Sequence, residues 1–346
     1  EALRSATTPH GILASTRETD NYRRVWCRDG VIAGLGGLLL GDETITRGLR
    51  ATLRTLARAQ GPNGEIPSNV LLDDGEIVEV SYGSTCGRVD TPAWFVIGLV
   101  HYVEETGFPA LGSELESNAR EALEAYRGWE LNDRGLVYVP QGGDWADEYI
   151  LRGYVLNVQL LRLWALQIFA EATDDGRRAE RAERLRTRLE RNFWPSRDVD
   201  PDETYHPVAV RRFLENNDDV DHWLPALDAG GYSAVFDGWS NALAVLLELG
   251  SDRRRASLRG RADAIRRERP HRLLPAFWPP IEEGDDGWNE LQTNRRGSFE
   301  NAPGRYHNGG LWPIVNAFWG MALVAEQEEA TARDLLAGIR DANSVG

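Results

Sequence analysis

Carboxyl groups stand beside tryptophans or in long polar loops at several places in this chain. Asp90 lies in "GRVDTPAW" (87–94), where a polar loop meets a very apolar stretch. The polar segment 279–310 offers four glutamates, Glu282, Glu283, Glu290 and Glu300. Hydrolysis of a glycosidic bond needs two carboxyls, one to protonate the leaving oxygen and one to activate water or attack the sugar.

These residues suggest an acid and a base. We assign Asp90 as the candidate general acid, because burial beside the apolar stretch would favour its protonated form. Glu283, which precedes Gly284, is the favoured partner, with Glu290 as the alternative and Glu300 after it. Each has a structural alternative, since Asp90 could be a helix N-cap and any of the glutamates could be solvated.

Five stretches share an Asp or Asn close to a tryptophan: "VWCRDG" (25–30), "GRVDTPAW" (87–94), "GGDWADEY" (142–149), "VFDGWS" (235–240) and "YHNGGLWP" (306–313). Sugars need such a lining, because polar groups pair with hydroxyls and flat aromatic rings stack on C–H faces. The candidate substrate-binding residues are Trp26, Arg28, Asp29, Trp94, Asp144, Trp145, Trp239, Tyr306, His307, Asn308 and Trp312.

These loops also have structural alternatives. Any single loop could be an N-cap beside a core tryptophan. Asp29 could join an internal ion pair, Asp144 could accept hydrogen bonds from arginines, and His307 could be structural. We expect the glycines of "YHNGG" to let the backbone approach a ligand closely.

The elements that must position these loops are helices of two alternating kinds. "VLNVQLLRLWALQIFA" (155–170) is apolar on nearly every side, whereas 177–193 has one apolar stripe. The five predicted pairs are 31–40 with 45–59, 94–103 with 115–126, 155–170 with 177–193, 242–249 with 256–267, and 314–325 with 330–339. This alternation predicts an all-α (α/α)6 toroid in one domain, 1–346, one helix pair short at the C-terminus. The five loops would then gather at one end of the ring.

Composition excludes several classes of protein. The formal net charge is −15, which argues against nucleic acid or an anionic membrane as a partner. All 39 basic residues are arginine, which rules out a Schiff-base lysine and a P-loop. An acidic, lysine-free chain fits a high-salt or high-GC source. Nothing in the sequence indicates an oligomeric state.

Cysteine content and spacing point away from metals and disulfides. Cys27 and Cys86 have no metal-like spacing and are too few for a disulfide framework. "EEGDD" (282–286) lacks the alternating ligands of a calcium loop. No signal peptide is visible, so we expect a cytoplasmic protein with two free thiols. The lack of metal-like ligand spacing predicts that the protein binds no metal.

Three motifs carry a resemblance to known enzymes. "WCRDG", "GRVDTPAWFVIGL" and "YHNGGLWP" resemble motifs of the six-hairpin glycosidases, over about residues 22–320. The likeness is greatest to the alkaline/neutral invertases and to bacterial amylo-alpha-1,6-glucosidase (debranching-type) proteins. It implies an (α/α)6 barrel, an inverting mechanism and no cofactor.

The resemblance also assigns roles. The general acid of the invertases matches Asp90, and their glutamate in an "EG" segment matches Glu283. An ungapped count back from Tyr306 points to Glu290 instead. The sequence differs from the invertases at Thr91, Pro92 and Ala93 and in "GGDWADEY", so the sugar stays open.

Other functions fit the same composition. A non-catalytic carbohydrate-binding protein, a sugar epimerase on the same toroid and a sugar phosphorylase are the alternatives to an inverting hydrolase of an α-glucoside or related small sugar. An epimerase usually needs histidines in its cleft, and the chain has six in all.

Overall fold

The computed structural model describes residues 1–17, 21–83, 86–132, 134–217 and 219–344. Two compact units can be distinguished by their internal contacts. Unit 1 comprises Glu1–Val137 and Leu161–Glu183, and unit 2 comprises Tyr138–Leu160 and Arg184–Gly346. In the described ranges, no helix has the length and apolar character needed to cross a bilayer.

Helices dominate both units. The α-helices of the described ranges are α1 Ala2–Ala6, α2 Cys27–Leu39, α3 Glu43–Arg58, α4 Thr91–Thr106, α5 Pro109–Ala125, α6 Leu156–Thr173, α7 Gly176–Asn192, α8 Pro207–Asn216, α9 Gly238–Leu246, α10 Asp252–Arg267, α11 Trp288–Thr293, α12 Pro313–Ala325 and α13 Glu329–Ser344. All ten predicted helices are present, with shifted ends. Helices α1, α8 and α11 were not predicted.

The sequence shows why two of these helices form and where they begin. Asp42 caps α3, because its side chain accepts hydrogen bonds from the Thr44 and Ile45 amides. One face of α3 is buried and the other carries arginines, as predicted. In α4, every residue from Thr91 to Val100 is buried, which confirms the prediction of a helix surrounded by protein.

The prediction that 31–40 is buried on all sides is wrong. Leu39 and Leu40 are 77% and 79% exposed, and only one face of α2 is covered. Three glycines are among the five buried residues of that face. A Cβ at Gly34 would lie 2.6 Å from the Leu49 side chain, and one at Gly37 would lie 2.5 Å from Ile45. Helix α2 therefore packs very closely on α3 through its backbone, and the leucines between the glycines point elsewhere.

Short strands, which the sequence analysis did not predict, precede three of the apolar helices. The ten strands of the described ranges are β1 Thr7–Thr8, β2 Gly11–Ile12, β3 Val25–Trp26, β4 Asn69–Asp73, β5 Glu76–Ser81, β6 Tyr154–Val155, β7 Ala226–Asp228, β8 Gly231–Ser233, β9 Phe236–Asp237 and β10 Phe277–Trp278. They form antiparallel sheets in the orders β1-β2, β3-β4-β5, β6-β7-β8 and β10-β9. Strands β3, β6 and β9 lead directly into α2, α6 and α9, so each strand fixes where its helix begins.

Candidate active site

Asp90 is held at the start of α4 without acting as a side-chain cap. It occupies the N-cap position, but its carboxyl accepts no capping hydrogen bond. The side chain is completely buried, and Arg28 Nη1 donates to Oδ2 at 2.5 Å. Within the described part of the chain, Oδ1 is buried with no hydrogen-bond partner. The structural alternative of an N-cap side chain therefore fails.

Neighbouring main chain fixes this carboxyl. Thr91 Oγ1 donates to the Ile66 carbonyl at 2.7 Å, and the Ala93 amide donates to the Tyr126 hydroxyl at 3.1 Å. Burial, with a further contribution from Asp90, raises the pKa of the Tyr126 hydroxyl. The same two causes raise the pKa of the buried Cys27 thiol, whose Sγ lies 3.5 Å from the Thr91 carbonyl oxygen. Cys27 is thus a neutral packing group, and no disulfide joins it to Cys86.

Two of the five predicted loops therefore meet in unit 1, and only some of their residues are accessible. Asp29 is exposed, and Arg28 is 19% exposed. Trp26 is nearly buried, donates through Nε1 to the Asn21 carbonyl at 3.0 Å and stacks on Tyr22 with ring centroids 5.8 Å apart. Tyr22, which the sequence analysis did not select, is 44% exposed and presents the open ring of this pair.

Trp94 faces the core of unit 1. It is completely buried and packs edge-on against Trp164 with centroids 6.1 Å apart. A ring with no exposed face cannot stack on a sugar unless it moves. The structure thus favours packing for Trp94 over the sugar stacking predicted from the sequence.

The other three loops meet in unit 2, around Trp145. Its ring centroid lies within 6 Å of four others, at 5.0 Å from Trp239, 5.8 Å from Phe277, 5.2 Å from His307 and 5.7 Å from Trp312. Three of the predicted loops therefore lie together in unit 2: "GGDWADEY", "VFDGWS" and "YHNGGLWP". Their contact confirms that these loops gather, as the acid and tryptophan in each of them indicated.

Exposure divides this aromatic cluster. Trp145, Trp239 and His307 are buried, whereas Tyr306 and Trp312 are half-exposed. Trp312 Nε1 donates to the Tyr306 carbonyl at 2.8 Å, and the two rings lie 5.3 Å apart. Tyr306 and Trp312 are therefore the rings of the cluster that a sugar could reach, and the others support them.

Asn308, predicted to contact substrate, is used internally. Its Nδ2 donates to the carbonyls of Ile281 at 2.9 Å and Asn301 at 3.1 Å, and its Oδ1 accepts from the Ile281 amide at 2.7 Å. The side chain is completely buried. Asn308 thus fixes the chain just before Glu282 and Glu283, which is a positioning role.

Two asparagines that the sequence analysis did not select hydrogen-bond the main chain in the same way as Asn308. Asn241 in α9 bonds both the amide and the carbonyl of Trp223, and Asn316 in α12 does so with Leu274. Both are completely buried in the first turns of their helices. An asparagine within an apolar helix was the signal in the sequence, because a buried side-chain amide needs hydrogen-bond partners.

The glycines of "YHNGG" serve the loop's own packing. Tyr306 adopts a positive φ of 44°, and Gly309 has φ 93°. A Cβ on Gly310 would lie 2.2 Å from the Tyr306 carbonyl oxygen. This contact corrects the expectation that these glycines make room for a ligand, because the space at Gly310 is filled by the loop itself.

Replacing Gly310 with alanine should therefore destabilise unit 2. We expect a loss of about 2 kcal/mol or more in the free energy of unfolding, because main-chain atoms cannot yield as a flexible side chain would. Gly297→Ala is the matched control, since a Cβ there meets no atom within 4 Å. Urea unfolding curves of both variants test this, and equal midpoints would contradict it.

Asp144 and its neighbours hold the "GGDWADEY" loop. Asp144 is buried, and its Oδ1 accepts from the Ala146 amide at 3.1 Å, which is the geometry of a turn. Asp147 pairs with Arg296 at 3.1 Å. These contacts give both aspartates a structural role in addition to any contact with a sugar.

The four candidate glutamates differ in their surroundings. Glu282, Glu283 and Glu300 are exposed, and Ser298 Oγ donates to Glu300 at 2.5 Å. Glu290 lies in the first turn of α11, is half-buried and forms an ion pair with Arg152. Of the four, Glu290 is the one whose carboxyl is held by a cation.

Glu148 is a further carboxyl that the sequence analysis did not select. It is half-buried, and burial raises its pKa, with Asp147 and Glu300 adding to the effect. Its Oε1 accepts from the Arg296 amide at 3.2 Å. A half-buried carboxyl with a raised pKa in a loop beside tryptophans is a candidate polar group of the site.

Asp237 is the N-cap of α9 and is completely buried. It accepts from the Trp239 and Ser240 amides at 3.0 and 3.1 Å and from the Ser240 hydroxyl. Complete burial raises its pKa to about 6, against an ordinary value of 3.8. For this loop, the structural alternative of a helix N-cap is therefore correct.

This raised pKa makes the stability of the protein depend on pH. The stabilisation that comes with protonating Asp237 is fully present below about pH 4 and is lost as the pH rises through about 6. Asp237→Asn cannot ionise, so its free energy of unfolding relative to that of the wild type should rise by about 2 kcal/mol between pH 4 and pH 7. Unfolding by urea at both pH values measures this, and a difference that does not change with pH would refute it.

Structural comparison places the chain among known folds. No protein-family model matches it, and no curated protein sequence matches it significantly. A GH63 mannosylglycerate hydrolase from Thermus thermophilus, in complex with glucose, has TM-score 0.68 at 16% identity over 97% of this chain and 88% of that chain. A bacterial glucoamylase complexed with acarbose has TM-score 0.55 at 16% identity, covering 92% and 43%.

A third solved structure agrees with these two. A rhamnosidase from Klebsiella oxytoca with rhamnose bound has TM-score 0.52 at 17% identity, covering 90% of this chain and 47% of that chain. The chain therefore shares its helical fold with these three solved structures, which confirms the predicted all-α fold class. At these identities the likeness shows the fold, and the function must be argued from the residues.

Proposed function

We propose that this protein is an inverting glycoside hydrolase of an α-glucoside or a related small sugar. Asp90 carries the proposal, because a completely buried carboxyl is held through Oδ2 by Arg28 while Oδ1 makes no hydrogen bond within the described residues. Oδ1 is closed to solvent in this structure, so its use as a general acid requires that the loops around it open when the substrate binds. The glycosidase fold supports the same conclusion.

Oδ1 is the Asp90 oxygen that transfers a proton in the proposed reaction, because Oδ2 accepts from Arg28. Asp90 donates that proton to the glycosidic oxygen as the bond from the anomeric carbon to this oxygen breaks. A glutamate removes a proton from a water molecule, whose oxygen attacks the anomeric carbon from the opposite face. The products are a free sugar of inverted configuration and the released alcohol.

We assign the base to Glu290 and keep Glu283 as the alternative. The motif likeness favoured Glu283, but its side chain is exposed and its placement depends on the main chain fixed by Asn308. Glu290 is half-buried, and its carboxylate forms an ion pair with Arg152. A base must be held accurately to orient a water molecule, which is the reason for preferring Glu290.

Sugar contacts are assigned by accessibility. Tyr306 and Trp312 offer half-exposed rings for stacking, and Tyr22 and Trp26 form a second aromatic pair. Asp29 is exposed and could accept from a sugar hydroxyl. The neighbour named as a mannosylglycerate hydrolase suggests small glycosides of glycerate, and the sequence motifs suggest sucrose or an α-1,6-linked glucoside.

A substrate panel tests this proposal. Purified protein is incubated with sucrose, maltose, isomaltose, trehalose, glucosylglycerate, mannosylglycerate and a branched limit dextrin, at low and at high salt. We expect one or a few of the small glycosides to be cleaved. Binding of these sugars without any release would instead favour a non-catalytic carbohydrate-binding protein, and interconversion of free sugars would favour an epimerase.

A further inference from the structure

A basic cavity lies on the surface of unit 1. It has a volume of about 500 Å³ and is bounded by the outer face of α3 and by the turn Thr7–His10. Four arginines of α3 line it, Arg47, Arg50, Arg54 and Arg58. The lining includes none of the candidate catalytic or sugar-binding residues.

The arginines carry more positive charge than nearby carboxylates neutralise. Arg54 pairs with Glu114 at 2.6 Å, and this pair, with a smaller influence of Arg50, lowers the pKa of Glu114. Arg50 lies over the Phe108 ring at 5.8 Å, and Arg58 donates to the Gly75 carbonyl at 3.4 Å. In the described ranges, neither of them forms an ion pair with a carboxylate, nor does Arg47.

This group of arginines is a local basic cluster in an acidic protein. The protein has 54 acidic and 39 basic residues, so carboxylates outnumber arginines. Some arginines of other helices pair with acidic residues, as Arg178 does with Asp175. Along α3, the four arginines have one ion-pair partner in the described ranges, Glu114, and the exposed Glu43 precedes Arg47 by four residues.

The spacing of the stripe suits a multiply charged anion. Positions 47, 50, 54 and 58 follow one another at three or four residues and therefore share one face of the helix. The stripe is about 16 Å long at 1.5 Å per residue. Gly48 also lines the cavity and lets Thr7 pack directly on α3, since a Cβ there would lie 2.6 Å from Thr7 Cγ2.

The opposite wall is fixed in place. Thr55 Oγ1 donates to the His10 carbonyl at 2.7 Å, and the Ile12 amide donates to Thr52 Oγ1 at 2.9 Å. These bonds anchor the turn and the strand that follows it to α3. The cavity is therefore a property of the folded unit and does not depend on a ligand to hold its walls together.

We propose that this cavity binds a small anion with two or more phosphoryl charges, such as a phosphorylated metabolite. The guanidinium groups of Arg47, Arg50 and Arg58 supply charge-assisted hydrogen bonds to its oxygens. Because the cavity contains none of the candidate catalytic residues, binding there is independent of the proposed hydrolase activity.

Titration calorimetry with inorganic pyrophosphate at low ionic strength tests the proposal. The wild type is compared with Arg47→Ala/Arg58→Ala and with the control pair Arg177→Ala/Arg253→Ala. The control arginines are exposed and lie on helices α7 and α10. Their replacement removes the same amount of positive charge as the cavity variant does. Circular dichroism confirms that all three proteins are folded.

We expect saturable binding of one pyrophosphate to the wild type, weakening as sodium chloride is added. The cavity variant should bind on the order of a hundredfold more weakly, about tenfold for each arginine removed. The control variant should stay within about twofold of the wild type. Absence of saturable binding to the wild type, or an equal loss in both variants, would overturn the proposal.

Discussion

Asp90→Asn is expected to lower kcat/KM for hydrolysis of a natural glycoside by about a thousandfold. Asparagine keeps the size of the buried side chain at the start of α4 but has no proton to give to the leaving oxygen. The affinity for sugar should change little, because the loss falls on the transition state. Initial rates and sugar binding are measured on the same preparation.

A glycosyl fluoride separates an acid from a merely structural residue. Fluoride leaves without protonation, so Asp90→Asn should hydrolyse a glycosyl fluoride at a rate much nearer to that of the wild type. Asp341→Asn, the same change at an exposed position of α13, serves as the matched control and should keep its rate on natural glycosides close to that of the wild type. Full activity of Asp90→Asn on a natural glycoside would remove Asp90 from the mechanism.

Glu290→Gln should have the second large effect, a loss of about a thousandfold on natural glycosides and on the glycosyl fluoride alike. Glutamine cannot accept the proton of the attacking water, and an easier leaving group does not compensate for this. Glu290 is the candidate glutamate whose carboxylate is oriented by an ion pair, with Arg152, which is why we expect the larger loss of activity at this position.

Glu283→Gln is the matched comparison for Glu290→Gln. Glu283 is exposed, and its replacement should leave most of the activity. Rates of both variants on both substrates decide between the two glutamates. A severe loss in Glu283→Gln together with an active Glu290→Gln would reverse the assignment and support the motif likeness.

The helices were predictable because burial leaves a pattern in the sequence. The apolar run that forms α4 and the single stripe of α3 were both evident. The burial of helix α2 was predicted wrongly, because Gly34, Gly37 and Leu39 were all counted as apolar residues of a buried helix. Leu39 is in fact exposed. Strands β3, β6 and β9 have two residues each, too few to show a period.

One strand pair did leave a signal. Strands β4 and β5 are joined by Asp74 and Gly75, which have φ 45° and 84° and form the two-residue turn of a hairpin. An Asp-Gly pair between two apolar runs is typical of such a turn. This hairpin could therefore have been predicted from "LLDDGEIVEV" (71–80).

The candidate site was predictable in composition and less so in detail. Shared chemistry indicated that the loops around Trp145 gather, because acids and tryptophans recur before the apolar helices. The sequence could not show that the polar atoms of Asn308 are satisfied by Ile281, or that Gly310 packs on Tyr306. Those contacts are made to main-chain atoms, which every residue type has, so no residue type in the sequence marks them.

The choice between glutamates depended on a distant residue. Arg152 pairs with Glu290 across 138 positions of sequence. No local pattern near Glu290 marks that pairing, whereas the glycine beside Glu283 drew attention to the exposed residue. Contacts made over such separations are the part of a site that a single sequence conceals.

The most direct measurement follows the anomer of the released sugar. Proton NMR spectra are recorded within the first minutes of cleavage of the preferred glycoside, before mutarotation equilibrates the product. Release of the β-anomer from an α-glycoside, by the wild type and not by Asp90→Asn, is the predicted result. Release of the α-anomer would contradict the inverting mechanism and require a covalent glycosyl intermediate in its place.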